Sequence, residues 1–341
     1  MIRVLVVDDS PVIRERVRLE LDRAAGLQVC GVASSGRQGV RLAVELQPDV
    51  VLMDLSMPDL DGFEATREIM HLRPVPVIAL TAMDAKEVSR KAFECGAAEF
   101  LQKDRIGPEM CELVRLMAGM KVVGLRVRER APRPALGAFA AEPRFSLEPP
   151  GIALVGASTG GPQALQELLS ALPEGAPVAY AVVQHIARGF LQPLVGWLAE
   201  TTRLRLRIAK AGDRLEAGTV LFAPDDWHLL VGPNDRCFLD GSAPVQGVRP
   251  SVDALFKSGR FLGPRALGLL MTGMGSDGAE GLRQLREAGA TTLTQSEESS
   301  IIYGMPAAAV RLGASQQQVS PREAAKVISL WAARFPIRRG K

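Results

Sequence analysis

No apolar run in these 341 residues reaches the roughly 18 that a membrane-spanning helix needs, so insertion into a membrane is not expected. The opening run Met1-Ile2-Arg3-Val4-Leu5-Val6-Val7 is too short for a signal-peptide core and leads straight into Asp8 and Asp9. A cytoplasmic protein is the expectation. Aromatic residues make up only 5% of the chain and no long basic run occurs, which argues against a nucleic-acid partner. The cysteines are few: Cys30, Cys95, Cys111 and Cys237. None forms a Cys-x-x-Cys pair or stands at metal-binding distance from a histidine, so buried, reduced thiols are expected. Histidines are scarcer still, and imidazole chemistry has only His71, His185 and His228 to draw on.

What is present is an ordinary globular composition, 47% apolar and 23% charged, in a chain long enough for two domains with separate cores. The net charge of +3 is unevenly spread: residues 1–118 carry −4, residues 119–150 carry +3 and the remainder +4. A mildly basic last domain suits docking on an acidic protein surface. Residues 1–118 alternate strand-like runs (Arg3–Val7, Val29–Ala33, Val50–Met53, Val77–Thr81, Glu99–Leu101) with helical patterns (Val12–Ala25, Gly36–Leu46, Phe63–His71, Lys86–Cys95, and Gly107 to Met117). Such alternation predicts a parallel sheet with helices on both faces. Pro132, Pro134, Pro143, Pro149 and Pro150 then interrupt any period, so 119–150 reads as a semi-extended linker. From Gly151 the alternation resumes. Strands are expected at Ile152–Gly156, Val178–Gln184, Gly218–Ala223, His228–Val231, Ala266–Thr272 and Thr291–Gln295. Helices are expected at Pro162–Ala171, Phe190–Glu200, Ser251–Phe261, Gly278–Ala288, Pro306–Leu312 and from Pro321 to about Arg334. The fold class is therefore α/β, two doubly wound parallel-sheet domains.

In the first domain Asp8 and Asp9 follow the first strand, Asp54 the third, Thr81 ends the fourth and Lys103 follows the fifth. A parallel sheet brings all of them to its C-terminal edge, where α/β folds place their sites. Capping a helix explains one aspartate after a strand. Three clustered carboxylates repel one another unless a divalent cation neutralises them, and Mg²⁺ prefers such hard oxygens. Lys103 and the Thr81 hydroxyl can then hold the oxygens of a phosphoryl group placed on Asp54.

In the second domain Gly156-Ala157-Ser158-Thr159-Gly160-Gly161-Pro162 joins a strand to a helix. Gly-x-Ser-x-Gly is a nucleophile-elbow pattern. A phosphate cradle competes with it, but Gly-x-Gly-x-x-Gly is not met and no Walker lysine follows; a plain glycine-rich turn is the third reading. A serine nucleophile needs a base, and the base needs a carboxylate to orient it. His185 ends the strand Val178–Gln184 and Asp277 lies past Ala266–Thr272, both toward the edge that carries Ser158. Asp277 is also placed to cap the helix from Gly278. His228 starts a strand and reads as structural, and His71 as solvated.

Met53-Asp54-Leu55-Ser56-Met57-Pro58-Asp59-Leu60-Asp61-Gly62 resembles the phosphoacceptor motif of response-regulator receiver domains, which are flavodoxin-like. The order Ser…His…Asp departs from α/β-hydrolases. Together with Val183-Gln184-His185, Arg249 to Phe256, Thr272 to Ala279 and Tyr303-Gly304-Met305-Pro306, it resembles the chemotaxis protein-glutamate methylesterase (CheB) family over essentially the whole chain. The resemblance implies a receiver at 1–118, a linker at 119–150 and a Rossmann-like methylesterase domain at 151–341. It implies Ser158, His185 and Asp277 as catalytic triad, with backbone N–H groups of Thr159 and Met274 as oxyanion hole and no cofactor for the esterase. It makes Asp54 the phosphorylation site and Thr81, Lys103 and Phe100 the phosphoryl switch. Mg²⁺ is then held by Asp8, Asp9, Asp54 and the Ser56 backbone. The implied partners are methyl-accepting chemoreceptors as substrate, for demethylation and deamidation, and a chemotaxis histidine kinase as phosphodonor. The receiver is implied to obstruct the serine site until it is phosphorylated. Three departures stand out: Asp104 where the family usually has proline, Leu191 where it usually has threonine, and Asp225-Asp226 where glycine is more common. A catalytically idle scaffold, a DNA-binding regulator, and a hydrolase serving another receptor system remain the rival readings.

Overall fold

The computed structural model describes residues 1–82, 95–97, 99–118 and 150–335, and the chain divides into two compact units, each built round one parallel sheet. The helix expected at Lys86–Cys95 and the linker at 119–150 fall, but for an end residue each, outside the described residues. Among the described residues no helix is long and apolar enough to cross a membrane.

The first sheet comprises β1 (Ile2–Val7), β2 (Leu27–Ala33), β3 (Val50–Asp54), β4 (Val77–Thr81) and β5 (Glu99–Gln102). Its spatial order β2-β1-β3-β4-β5, parallel throughout, is flavodoxin-like, and the winding reverses between β1 and β3. Val4–Val7, Val50–Met53 and Val77–Leu80 are fully buried, as unbroken apolar runs must be in a sheet covered on both faces. Around it lie α1 (Pro11–Arg23), α2 (Gly36–Leu46), α3 (Gly62–Leu72) and α4 (Pro108–Ala118). Ser10, Ser35 and Asp61 cap the first three through their side chains. The cap of α1 is thus Ser10, which leaves Asp8 and Asp9 free of that duty.

The second sheet has seven parallel strands: β6 (Gly151–Ala157), β7 (Val178–Gln184), β8 (Arg205–Ile208), β9 (Thr219–Phe222), β12 (Ala266–Leu270), β13 (Thr291–Gln295) and β14 (Gln317–Val319). Their order is β14-β13-β12-β6-β7-β9-β8, so the winding reverses between β6 and β12. Helices α5 (Gly161–Ala171), α6 (Leu191–Ala199), α7 (Val252–Ser258), α8 (Ala279–Glu287), α9 (Met305–Arg311) and α10 (Pro321–Ala332) complete it. The expected strand at His228 forms as β10 (His228–Gly232), but it pairs antiparallel with β11 (Arg236–Asp240) outside the doubly wound sheet. The expected helix Ser251–Phe261 stops at Ser258 and continues as 3-10 turns over Gly259–Arg265, where Gly263 (φ 53°) and Pro264 cannot prolong an α-helix.

Gly62 begins α3 directly behind Asp54: a Cβ there would stand 1.8 Å from the Asp54 carbonyl oxygen. Gly62→Ala is therefore expected to lower stability by about 1–3 kcal/mol, the usual cost of forcing atoms into a packed site. Urea unfolding measures it, and an unchanged midpoint would contradict this packing.

Candidate active site

Ser158 stands one residue beyond β6, and the sheet's hydrogen bonding continues past the strand ends to hold it. The Met271 N–H donates to the Gly156 carbonyl (2.8 Å), the Ser158 N–H to the Thr272 carbonyl (3.0 Å) and the His185 N–H to the Ala157 carbonyl (2.9 Å). The nucleophile candidate is thereby tied to both neighbouring strands. Its own carbonyl accepts from the Gly161 N–H at 2.7 Å, closing a turn in which Gly160 takes the left-handed conformation (φ 76°). Ser158 is not among the residues with positive φ. The strained elbow of α/β-hydrolases is absent, and glycine carries the turn instead.

The loop after β12 packs onto this turn so closely that a Cβ on Gly273 would lie 2.6 Å from the Ser158 Cβ. The Gly273 carbonyl accepts from the N–H groups of Gly304 and Met305 at 3.1 and 2.9 Å, which fixes the backbone next to Met274. Thr272 links the parts: its hydroxyl donates to the Thr159 carbonyl (3.0 Å) and its N–H to Gln295 Oε1 (2.8 Å).

His185 Nε2 lies 3.0 Å from Asp277 Oδ2. The Asp277 carboxylate, 5% exposed, also accepts from the Ser251 hydroxyl (2.8 Å) and from the N–H groups of Val252 (2.7 Å) and Asp253 (3.0 Å). Burial alone would raise its pKa, but the close contact and charge of His185, with these donors, outweigh burial and hold it below the ordinary carboxylate value. The expectation that Asp277 caps the following helix is corrected. Gly278 (φ 88°) is the N-cap of α8, while Asp277 turns to the start of α7.

Two strand-end glutamines carry contacts that the sequence does not assign. Gln184 Nε2 donates to the carbonyls of both Ser158 (2.8 Å) and His185 (2.7 Å), and Gln295 holds Thr272. Their signal was a buried amide ending an apolar strand, which demands a polar partner. His228, read as structural, is buried and accepts from the Ser251 N–H at Nδ1 (3.1 Å); Ser251 had no assigned role. Leu191 is buried at the start of α6. Asp226 adopts φ 63°, a conformation that suits the glycine more common there and that aspartate tolerates.

At the switch point of the first sheet, Asp8, Asp9 and Asp54 offer oxygens within 4.8 Å of one another. Lys103 Nζ lies 2.8 Å from Asp8 Oδ2 and 2.9 Å from Asp54 Oδ2. Ser56 donates its N–H to Asp54 Oδ1 (3.1 Å), and Ser10 its N–H to Asp8 Oδ1 (2.9 Å). Thr81 is buried at the end of β4, and Phe100 lies on β5. Asp104, in place of the usual proline, sits in a short 3-10 turn over Lys103–Arg105, yet Lys103 still reaches both carboxylates. The Arg16 guanidinium ties that loop down through the carbonyls of Lys103, Asp104 and Ile106. This all-oxygen donor set fits Mg²⁺.

The chain matches the family model "CheB methylesterase" over residues 153–328 and "Response regulator receiver domain" over 4–115. The chain belongs to the CheB methylesterase family. It is 43% identical to a protein-glutamate methylesterase/protein-glutamine glutaminase of Anaeromyxobacter dehalogenans, covering 92% of each chain. It is 38% identical to one of Nitrosospira multiformis over the full length of both. The crystal structure of the Thermotoga maritima CheB methylesterase catalytic domain superposes with a TM-score of 0.51 at 29% identity, covering 53% of this chain and 98% of that one.

The Asp54 carboxyl is shifted the opposite way from Asp277. Burial raises its pKa, Lys103 and the Ser56 N–H counter this in part, and neighbouring Asp8 adds to the rise. A carboxyl raised on folding costs stability when ionised, above its folded pKa, and that cost disappears as pH falls through the folded value. Asp54→Asn is therefore expected to unfold at higher temperature than wild type at pH 7 without Mg²⁺, with the gap narrowing toward acid. Added Mg²⁺ is expected to raise the wild-type midpoint more than the variant's. Thermal unfolding checks both, and a destabilised variant at pH 7 would contradict the account.

Proposed function

We propose that this member of the family hydrolyses glutamate methyl esters on methyl-accepting chemoreceptors, and deamidates receptor glutamines, through Ser158, His185 and Asp277. The observation that carries the reading is the His185–Asp277 contact of 3.0 Å at the sheet edge where Ser158 and Ala157 are hydrogen-bonded to the strands on either side. With Nε2 of His185 facing Asp277, Nδ1 is the nitrogen left to take the serine proton. This reverses the ring orientation of the chymotrypsin triad, whose Nδ1 faces the carboxylate. Ser158 Oγ attacks the side-chain ester carbonyl, the oxygen becomes an oxyanion, and the Thr159 and Met274 N–H groups stabilise it. Each such donor contributes about 10²–10³ in rate. His185 returns the proton to the departing methoxide, and methanol leaves. Water, deprotonated by His185, then attacks the acyl carbonyl, the bond to Ser158 Oγ breaks, His185 returns the proton to Oγ, and free glutamate leaves. A glutamine amide takes the same course, with ammonia as leaving group. Asp277 stays ionised throughout and stabilises the imidazolium.

The domain division that goes with this is a receiver at 1–118, a linker at 119–150 and the methylesterase domain at 151–341, supported by the family matches over 4–115 and 153–328. In the receiver Asp54 takes a phosphoryl group from a chemotaxis histidine kinase. Asp8, Asp9, Asp54 and the Ser56 backbone would hold an Mg²⁺, which would supply positive charge against the phosphoryl group. Lys103 and Thr81 meet the phosphoryl oxygens, Phe100 responds as the switch aromatic, and the cytoplasm is where such partners meet the protein.

Methanol release from a methylated receptor cytoplasmic fragment tests the reading. Wild type should release it, faster with a small-molecule phosphodonor and Mg²⁺. Ser158→Ala should lose on the order of 10³-fold or more. Asp54→Ala should keep basal release and lose the stimulation. Undiminished release by Ser158→Ala would overturn the serine mechanism.

A further inference from the structure

Asp277 sits in a loop whose backbone is bent at Gly275 (φ 80°) and Gly278 (φ 88°). A glycine-flanked carboxylate is not oriented by its own loop, so its direction must be set from outside. The outside grip is the segment Ser251–Asp253. The Ser251 hydroxyl and the Asp253 N–H donate to Oδ1, and the Val252 N–H donates to Oδ2, the oxygen that faces His185. Ser251 is in turn fixed from behind. Its N–H donates to His228 Nδ1 at 3.1 Å, which requires that nitrogen to be unprotonated. The proton of neutral His228 then lies on Nε2, 3.2 Å from the Ala243 carbonyl, to which it donates. Ser251 is wholly buried and His228 is 1% exposed, so the contact between them is shielded from water.

We propose that Ser251 and His228 are positioning residues of the hydrolytic site: neutral His228 holds the Ser251 backbone, and the Ser251 hydroxyl aims the Asp277 carboxylate at His185. The proposal rests on reading Asp277 as the partner of His185. Neither residue touches the reacting atoms. The Ser251 hydroxyl also caps α7 by accepting from the Ala254 N–H (3.3 Å), so loss of the cap lowers stability, whereas the effect on catalysis passes through Asp277.

The test measures methanol release from a methylated receptor fragment, using the full chain and recording thermal unfolding in parallel. Ser251→Ala should lower kcat by about tenfold or more, the scale on which small misplacements of catalytic groups act, with KM within about twofold. In an Asp277→Ala background the same substitution should cause little further loss. At His228, Asn places an acceptor oxygen near the former Nδ1, whereas Gln places its polar end near Nε2. His228→Asn should therefore keep more of kcat than His228→Gln. An unchanged kcat in Ser251→Ala, a loss just as large in the Asp277→Ala background, or equal losses in the two His228 variants would each overturn the proposal. If Ser251→Ala does not fold, the His228 pair decides. Wild-type kcat in Asp277→Ala would instead sink the triad reading, and this proposal with it.

Discussion

The site depends on hydrogen bonds that run one residue past the end of a β-ladder. Here the Ser158 N–H is still bonded to Thr272 on one side, and the Ala157 carbonyl to His185 on the other. Serine, histidine and the loop bearing Asp277 are therefore located by the register of three adjacent strands, β7, β6 and β12. The buried amide of Gln184 reinforces this by bonding the carbonyls of Ser158 and His185 together. Groups held to hydrogen-bond tolerance before substrate arrives are what preorganised catalysis requires.

Both units place their chemistry at a reversal of winding: between β1 and β3 for the acidic cluster, and between β6 and β12 for the serine site. Each contains an aspartate almost wholly removed from water, yet the two are driven in opposite directions. Asp277 meets His185, a hydroxyl and two N–H groups, and its charge is favoured. Asp54 meets Lys103 and one N–H but also a second carboxylate, Asp8, and burial prevails. Burial is common to both, so the donor count and the neighbouring charge set the sign. The consequence suits the two roles. An Asp277 held ionised suits the proposed stabilisation of an imidazolium, and an Asp54 burdened by burial suits the proposed cation.

Much of this was legible in the sequence because parallel sheets write themselves as apolar runs followed by chemistry at the strand ends. The runs at Val178–Gln184 and Thr291–Gln295 match observed strands residue for residue, and the helix at Gly36–Leu46 does likewise. What escaped notice was short, polar or at an edge. Arg205–Ile208 carries arginines at alternate positions, and Gln317–Val319 spans three residues; both are the outermost strands of their sheet. Edge strands are polar by necessity and so lose the apolar signal. Among candidate site residues, Ser158, His185 and Asp277 could be picked out because their order and spacing carry the pattern. The hydrogen bonds of Gln184, Ser251 and His228 could not, since each joins residues brought near only by the fold. Asp277 shows the same limit: its place before a helix suggested a cap, and only the fold reveals that it turns to a different helix, α7.

The most direct test of the account is to identify the residue that becomes covalently modified. The full chain would be treated with a fluorophosphonate, which loses fluoride to an activated serine oxygen, and the adduct located by peptide mass spectrometry. The account predicts a single phosphonyl group on Ser158, formed far more slowly in His185→Ala and Asp277→Ala. An adduct on another residue, or equal labelling of Ser158 without His185 and Asp277, would contradict it.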